Sequence, residues 1–230
     1  MTGHQSSKTH RLGLRVTIRL IMSVIIMGVL FFIPAGSWGY LEAWVYIAVV
    51  FIPMVGVFVY LLKKDPLLLE RRMQAKEKKN RQQTIIRLTW PFFLLLFLIP
   101  GFDFRYGWSQ VAAPIWIAAD GVVFCGYMLF FRVLLENSYA SRIIEVAREQ
   151  RVIDTGPYAV IRHPMYLAVI VMYGASPMAL GSWWAMPPIL PIIVLIICRI
   201  IDEEKVLLRE LPGYAEYVDK VRYRLLPRIW

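Results

Sequence analysis

Six apolar stretches of membrane-crossing length, or close to it, constrain this chain more than any other feature; they lie near residues 16–34, 41–62, 85–101, 111–134, 165–181 and 184–201. A helix needs about 20 apolar residues to cross a hydrocarbon core roughly 30 Å thick. The third and fifth stretches sit near the short limit, and the last two share a single turn at Gly181-Ser182, which reads as a helical hairpin. Hydrophobic residues make up 58% of the 230 positions, charged residues 18%, and the mean hydropathy is +0.55, values far from those of a soluble domain of this length. The expected fold is all-α: a polytopic integral membrane helical bundle of about six transmembrane helices, with a C-terminal helical hairpin and a cytoplasmic tail helix.

The basic residues give an independent reading of topology, because Lys and Arg gather in cytoplasmic loops. Of the 26, all but Arg105 fall in the arm through Arg19, the 63–87 loop, the 132–162 connector or the tail from Arg199 onward. An even number of spans with both termini in the cytoplasm satisfies every cluster. The formal net charge of +10 follows from this rule without nucleic acid as a partner, and anionic lipid headgroups are the expected counter-charge. Residues 11–37 superficially resemble a secretory signal, but the apolar run is long, Pro34 interrupts the cleavage region and a second span follows at once. Trp38, Trp44, Trp108, Trp183 and Trp184 fall near the predicted outer ends, as an aromatic interfacial belt would.

Cys125 and Cys198 lie in separate apolar spans, without the spacing of a disulfide framework or a zinc site, so no metal is expected. Neither a GxGxxG turn nor a GxxxxGK[ST] loop is present. One integrated membrane domain is the simplest organisation, with N-terminal spans in residues 1–135 and a connector, hairpin and tail in residues 136–230. The loop from Lys63 to Gln83, with Leu67, Leu68, Leu69 and Met73, is either an amphipathic surface helix or a solvated basic loop. Asp120 falls inside a span, where an acid is costly and often functional; it is either such a group or a protonated side chain bonded to a neighbouring helix.

Chemistry concentrates in two polar knots that flank the hairpin. The first is Gly156-Pro157-Tyr158 with Arg162-His163-Pro164-Met165-Tyr166; the second is Arg199 with Asp202-Glu203-Glu204. A chain that crosses and returns brings them to one face of the membrane. Structural readings exist for both: Pro164 suits a first helical turn with His163 as its cap, and Arg199 and Glu203, four apart, suit an ordinary ion pair. These readings explain less well why Tyr158, His163 and Tyr166 cluster opposite Arg199, Glu203 and Glu204.

The two knots, followed by Pro212-Gly213-Tyr214-Ala215-Glu216-Tyr217 and Arg224-Leu225-Leu226-Pro227, resemble the isoprenylcysteine carboxyl methyltransferase family and its prokaryotic integral-membrane relatives. The resemblance covers about residues 136–230. It implies a membrane enzyme that uses S-adenosylmethionine without the Rossmann fold. The cofactor would be held by Gln150, Arg151, Val152 and Ile153, mainly through backbone, by Tyr158, by His163, Pro164, Met165 and Tyr166, and by Glu203. Arg199 would face the methyl acceptor. The sequence departs from the family pattern at Leu167-Ala168, where a glycine is common, and at Pro212, where an aromatic residue is common.

The chemistry of the cofactor agrees with that assignment. Its ammonium calls for an anion, which Glu203 supplies, and its carboxylate calls for donors, which the backbone N–H groups after His163 supply. Tyr158 and Tyr166 suit packing on the adenine or near the cationic sulfur. A carboxylate acceptor is already ionised at neutral pH, so alignment matters more than a base, and Arg199 can orient it with a two-pronged hydrogen bond. An amine acceptor, such as a phospholipid headgroup, must first lose a proton, with Glu204 or His163 as the candidate base. The expected partners are therefore a lipophilic or lipidated acceptor and the surrounding lipids, at an active site on the cytoplasmic side. The alternatives are an NADPH-dependent enzyme of the sterol-reductase kind, which shares a His-Pro-x-Tyr-Leu element and a similar tail, and a non-catalytic membrane scaffold.

Overall fold

The computed structural model describes residues 2–73, 80–137, 139 and 150–230, and these are helical with no strand among them. The helices are α1 (Thr2–Ala35), α2 (Leu41–Lys64), α3 (Pro66–Met73), α4 (Asn80–Tyr106), α5 (Ala113–Glu136), α6 (Pro164–Ala179), α7 (Ile189–Glu210) and α8 (Tyr214–Lys220), with a 3₁₀ turn at Gly156–Ala159. Most of the connector between α5 and that turn lies outside the described residues. The protein is a helical membrane bundle. Four helical segments, His10–Ala35, Leu41–Lys64, Gln82–Tyr106 and Ala113–Glu136, are long and apolar enough to cross a bilayer, and α6 is a shorter apolar helix. In α7 the apolar first half gives way to Arg199, Asp202, Glu203, Glu204 and Lys205.

Two clusters of buried side chains define the ends of the bundle. Leu12, Val16, Leu61, Leu68, Leu69 and Leu134 pack together at the end that carries the basic residues. Phe31, Tyr40, Ala43, Ala119, Ala179 and Leu180 pack at the opposite end, where the exposed Trp38, Trp44, Trp108, Trp183 and Trp184 also lie. Of the Lys63–Gln83 loop, Pro66–Met73 is helical, and its Leu68 and Leu69 are buried against the bundle. That helix packs Leu68 and Leu69 on protein and leaves Leu67 exposed.

The first span starts at His10, six residues earlier than expected, and two boundaries beside prolines also differ. The third stretch extends as far as Tyr106, because Pro100-Gly101 does not end the helix. Gly101 instead lets α4 press on the end of α1: a Cβ there would lie 2.7 Å from the Phe31 carbonyl oxygen and 2.9 Å from Pro34 Cβ. Pro is tolerated inside membrane helices where neighbours satisfy the freed backbone groups. The second arm of the hairpin starts at Ile189, not near residue 184, because Pro187 and Pro188 lack N–H donors and the residue before a proline avoids the α conformation. The turn is tied to α4 through Asp103, which accepts hydrogen bonds from Ser109 N and Ser109 Oγ, each at 2.6 Å, and from Ser182 Oγ.

Gly101→Ala is expected to destabilise the protein by about 1–3 kcal/mol, since the new methyl must push two packed backbones apart. Chemical unfolding in detergent micelles measures this, and an unchanged midpoint would contradict the α1–α4 contact.

Candidate active site

The two knots do meet. Arg162 sits 5% exposed in the segment before α6, and its Nε donates to Glu204 Oε1 at 2.7 Å while its Nη1 donates to the Val221 carbonyl at 2.7 Å. Glu204 Oε2 accepts from Arg224 Nε at 2.7 Å, and His163 Nε2 lies 3.2 Å from Glu204 Oε1. The tail runs alongside the first knot: Arg162 N donates to the Tyr223 carbonyl and His163 N to the Arg224 carbonyl, both at 2.9 Å. A single buried carboxylate thus joins α7, the start of α6 and the C-terminal tail.

This arrangement engages two of the candidate residues with each other. His163 occupies the N-cap position of α6 with Pro164 at the first turn, but its side chain makes no capping bond and turns to Glu204. Glu204, the candidate base, is engaged at both oxygens and does not line the cavity described below. Burial pushes its pKa up, but the hydrogen bonds from His163, Arg162 and Arg224 outweigh that and bring it down from 4.5 to about 2. A carboxylate so stabilised as an anion is a poor proton acceptor at neutral pH.

One turn away, Tyr166 links Arg199 and Glu203. Its hydroxyl donates to Glu203 Oε2 at 2.5 Å and accepts from Arg199 Nε at 3.0 Å. The i, i+4 pair on α7 is therefore bridged by a phenol from α6, which fixes the directions of both charged side chains. These three residues line a cavity of about 900 Å³, together with Gln150, Arg151, Val152, Ile153, Tyr158, His163 and Met165. Every predicted cofactor-binding residue except Pro164 lines it. Pro164 is buried at the first turn of α6, where it contributes backbone shape.

The edge of the cavity is built by the end of α5. Gly156 has φ +56°, a left-handed conformation that favours glycine, and it packs directly against the Glu136 side chain. Glu136 also accepts a hydrogen bond from Thr155 Oγ1, and Asn137 Nδ2 donates to the Tyr158 hydroxyl at 3.0 Å. Burial raises the Tyr158 pKa to about 12, so its hydroxyl stays protonated at neutral pH. Residues 150–154 have no regular secondary structure, so their backbone groups are not committed to a helix or strand ladder.

Several residues of this site went unread in the sequence. Arg72 of α3 lines the cavity, lies 5.1 Å from the Phe130 ring centroid and reaches Met165 Sδ at 3.5 Å. Tyr214 and Tyr217 of α8 line it as well, and the Tyr217 hydroxyl donates to the Tyr158 carbonyl at 2.8 Å. The Tyr214 hydroxyl is buried without a partner, an orphan polar atom at the place where a polar ligand would be held. Only the motif Gly213-Tyr214-Ala215-Glu216-Tyr217 pointed there; Arg72 carried no signal beyond its charge. Asp120 is buried with no partner for either oxygen, and it does not line the cavity. Cys125 and Cys198 carry free thiols.

No curated protein matches the chain. Residues 116–209 match the model of the isoprenylcysteine carboxyl methyltransferase family. The matched stretch runs from the first turns of α5 to the last turn of α7 and contains Glu136, Tyr158, the Arg162-to-Tyr166 segment, Arg199 and Glu203. Over that stretch, 94 of the 230 positions, the helical membrane bundle is similar to the isoprenylcysteine carboxyl methyltransferase family.

Proposed function

We propose that the protein is an S-adenosylmethionine-dependent methyltransferase of the membrane, acting from the cytoplasmic face on the carboxylate of a lipophilic acceptor of the isoprenylcysteine kind. The observation that carries this reading is the Tyr166 bridge, which holds an anion and a cation side by side at the polar end of a cavity whose other end is apolar. The residues present fit the cofactor. Glu203 offers a carboxylate to its ammonium group, the N–H groups of the first turn of α6 suit its carboxylate, and the irregular 150–153 segment lines the cavity where its base would lie. Tyr158 and Tyr214 bring hydroxyls, one braced by Asn137 and the other without a partner.

When bound, the cofactor supplies an electrophilic methyl group; the protein supplies alignment and a dry, charged surface. Arg199 is held by Tyr166 and orients the acceptor carboxylate, so that an already ionised oxygen is presented without proton removal. Both candidate bases, Glu204 and His163, are engaged with each other in one buried network, which favours this over amine methylation, which needs a base. The apolar wall accommodates the acceptor's hydrocarbon part. Glu204 acts as a positioning residue, fixing Arg162 and His163 beside the cofactor segment.

Glu203→Gln is expected to weaken binding of S-adenosylhomocysteine by about tenfold or more, the scale of a lost charge-assisted contact. Calorimetric titration of the purified protein measures it. Equal affinity in wild type and variant removes Glu203 from the cofactor site. Saturable binding of NADPH in place of S-adenosylhomocysteine turns the reading toward a reductase.

A further inference from the structure

The cavity does not stop at the polar groups. It continues into the bundle between α1, α2, α4, α6 and α7, lined by Met27, Leu30, Val50, Phe93, Phe97 and Tyr173 among others. Its lining on α4 runs from Ile85 to Phe97, a distance of about 18 Å at a rise of about 1.5 Å per residue. That exceeds half of a hydrocarbon core roughly 30 Å thick. There it ends. Beyond lies the packed cluster of Phe31, Ala35, Ala43, Val123, Ala179 and Leu180, all at most 3% exposed and none of them part of the lining.

The closed end is made of interlocked rings. Phe97 lies 6.4 Å from Tyr46, 6.2 Å from Tyr173 and 6.0 Å from Phe31, centroid to centroid, and Phe31 packs edge-on to Tyr46 at 6.0 Å. Tyr46 is also pinned through its hydroxyl. Ser176 Oγ donates to the Met172 carbonyl at 2.8 Å, so at the 2.7 Å contact between Tyr46 and Ser176 the phenol is the donor. Rings that pack edge to face and are hydrogen-bonded at the tip resist swinging aside. Ile26, Trp90 and Leu94 line the cavity and are exposed on the lipid-facing surface as well, which places a hydrocarbon chain from the bilayer within reach of the same space.

We propose, resting on the methyltransferase reading above, that the floor formed by Tyr46, Phe97 and Tyr173 sets the length of the single apolar chain that the methyl acceptor can carry. The occupant is the acceptor's own tail, because the space is continuous with Arg199 and Glu203. A head group held at Arg199 puts its chain end at the rings. A chain longer than the floor allows must coil or withdraw its carboxylate from Arg199, and a shorter one leaves apolar wall uncovered.

The test is kcat/KM for S-prenylated cysteines of one head group with geranyl, farnesyl and geranylgeranyl chains, in wild type, Phe97→Ala and Val50→Phe. Opening the floor with Phe97→Ala is expected to raise the ratio of longer to shorter substrate by about tenfold or more, and filling the wall with Val50→Phe to lower it, given what a methylene is worth in an apolar pocket. S-adenosylhomocysteine affinity reports whether each variant is folded, and Tyr46→Phe, which only unpins the floor, is the milder variant should Phe97→Ala unfold. It should blunt discrimination between chain lengths. A chain-length profile that is the same in wild type and all folded variants overturns the proposal and leaves the methyltransferase reading standing. So does a co-purifying bilayer lipid that acceptor does not displace, seen by native mass spectrometry. Failure of the wild type to bind S-adenosylhomocysteine or to methylate any of the three acceptors overturns both.

Discussion

Replacing Glu204 by Ala is expected to cost about 3–5 kcal/mol of folding stability, the scale seen when one partner of a buried ion network is removed and the others stay behind. Its side chain is 7% exposed and that of Arg162 is 3% exposed, and Arg162 would be left with the Val221 carbonyl as its remaining described partner. The tail would lose the Arg224 bond that ties it to α7. The same network predicts a pH dependence. A carboxylate whose pKa falls on folding stabilises the native state above its ordinary value and loses that contribution as pH falls through the folded value. With 4.5 lowered to about 2, stability is expected to decline progressively between those limits in wild type, and Glu204→Gln should flatten the decline. Denaturant unfolding in micelles at a series of acidic pH values measures both. A Glu204→Ala variant as stable as wild type would mean that the network contributes nothing.

Arg199→Ala is expected to lower turnover on a carboxylate acceptor by on the order of 100-fold, the cost of losing alignment at the reacting atom, while S-adenosylhomocysteine affinity changes far less. Arg199 reaches the cavity from α7 and is directed by the Tyr166 hydroxyl, so Tyr166→Phe should reproduce part of the defect and also loosen Glu203. Single-turnover methyl transfer separates the two effects. Loss of cofactor affinity as large as that of Glu203→Gln would move Arg199 from the acceptor to the cofactor. Unimpaired turnover would remove it from the site.

Hydropathy made the membrane bundle readable, because a run of apolar residues has one low-energy solution in lipid. It was less able to place helix ends. Pro100-Gly101 looks like a terminus and is a packing contact, since what decides is the Phe31 backbone on another helix. Pro187-Pro188 delayed α7 for a local reason that was legible. The two knots were found from their residue types and their positions at either end of a hairpin. The partition within them was not: Glu203 and Glu204 are neighbours in sequence, yet one faces the cavity and the other the tail, because successive helical positions point about 100° apart and only the packed neighbours say which faces what. The tail could be quoted as a motif, but its role in carrying Arg224 to Glu204 depends on a long-range backbone pairing. Arg72 comes from a helix whose sequence reads more readily as a solvated basic loop. The matched family region begins at residue 116, inside α5, twenty positions before the expected 136 boundary. It ends at residue 209, before the tail motifs at 212–217 and 224–227.

The most direct test follows the transfer of an isotopically labelled methyl group from S-adenosylmethionine to an S-farnesylated cysteine, by the protein reconstituted in vesicles, with Glu203→Gln and Arg199→Ala alongside. Base-labile label in the acceptor, as a methyl ester gives, which Glu203→Gln reduces unless cofactor is raised and Arg199→Ala reduces at any cofactor concentration, is the predicted result. Absence of labelled ester from folded wild-type protein, or equal labelling by all three proteins, would contradict the account.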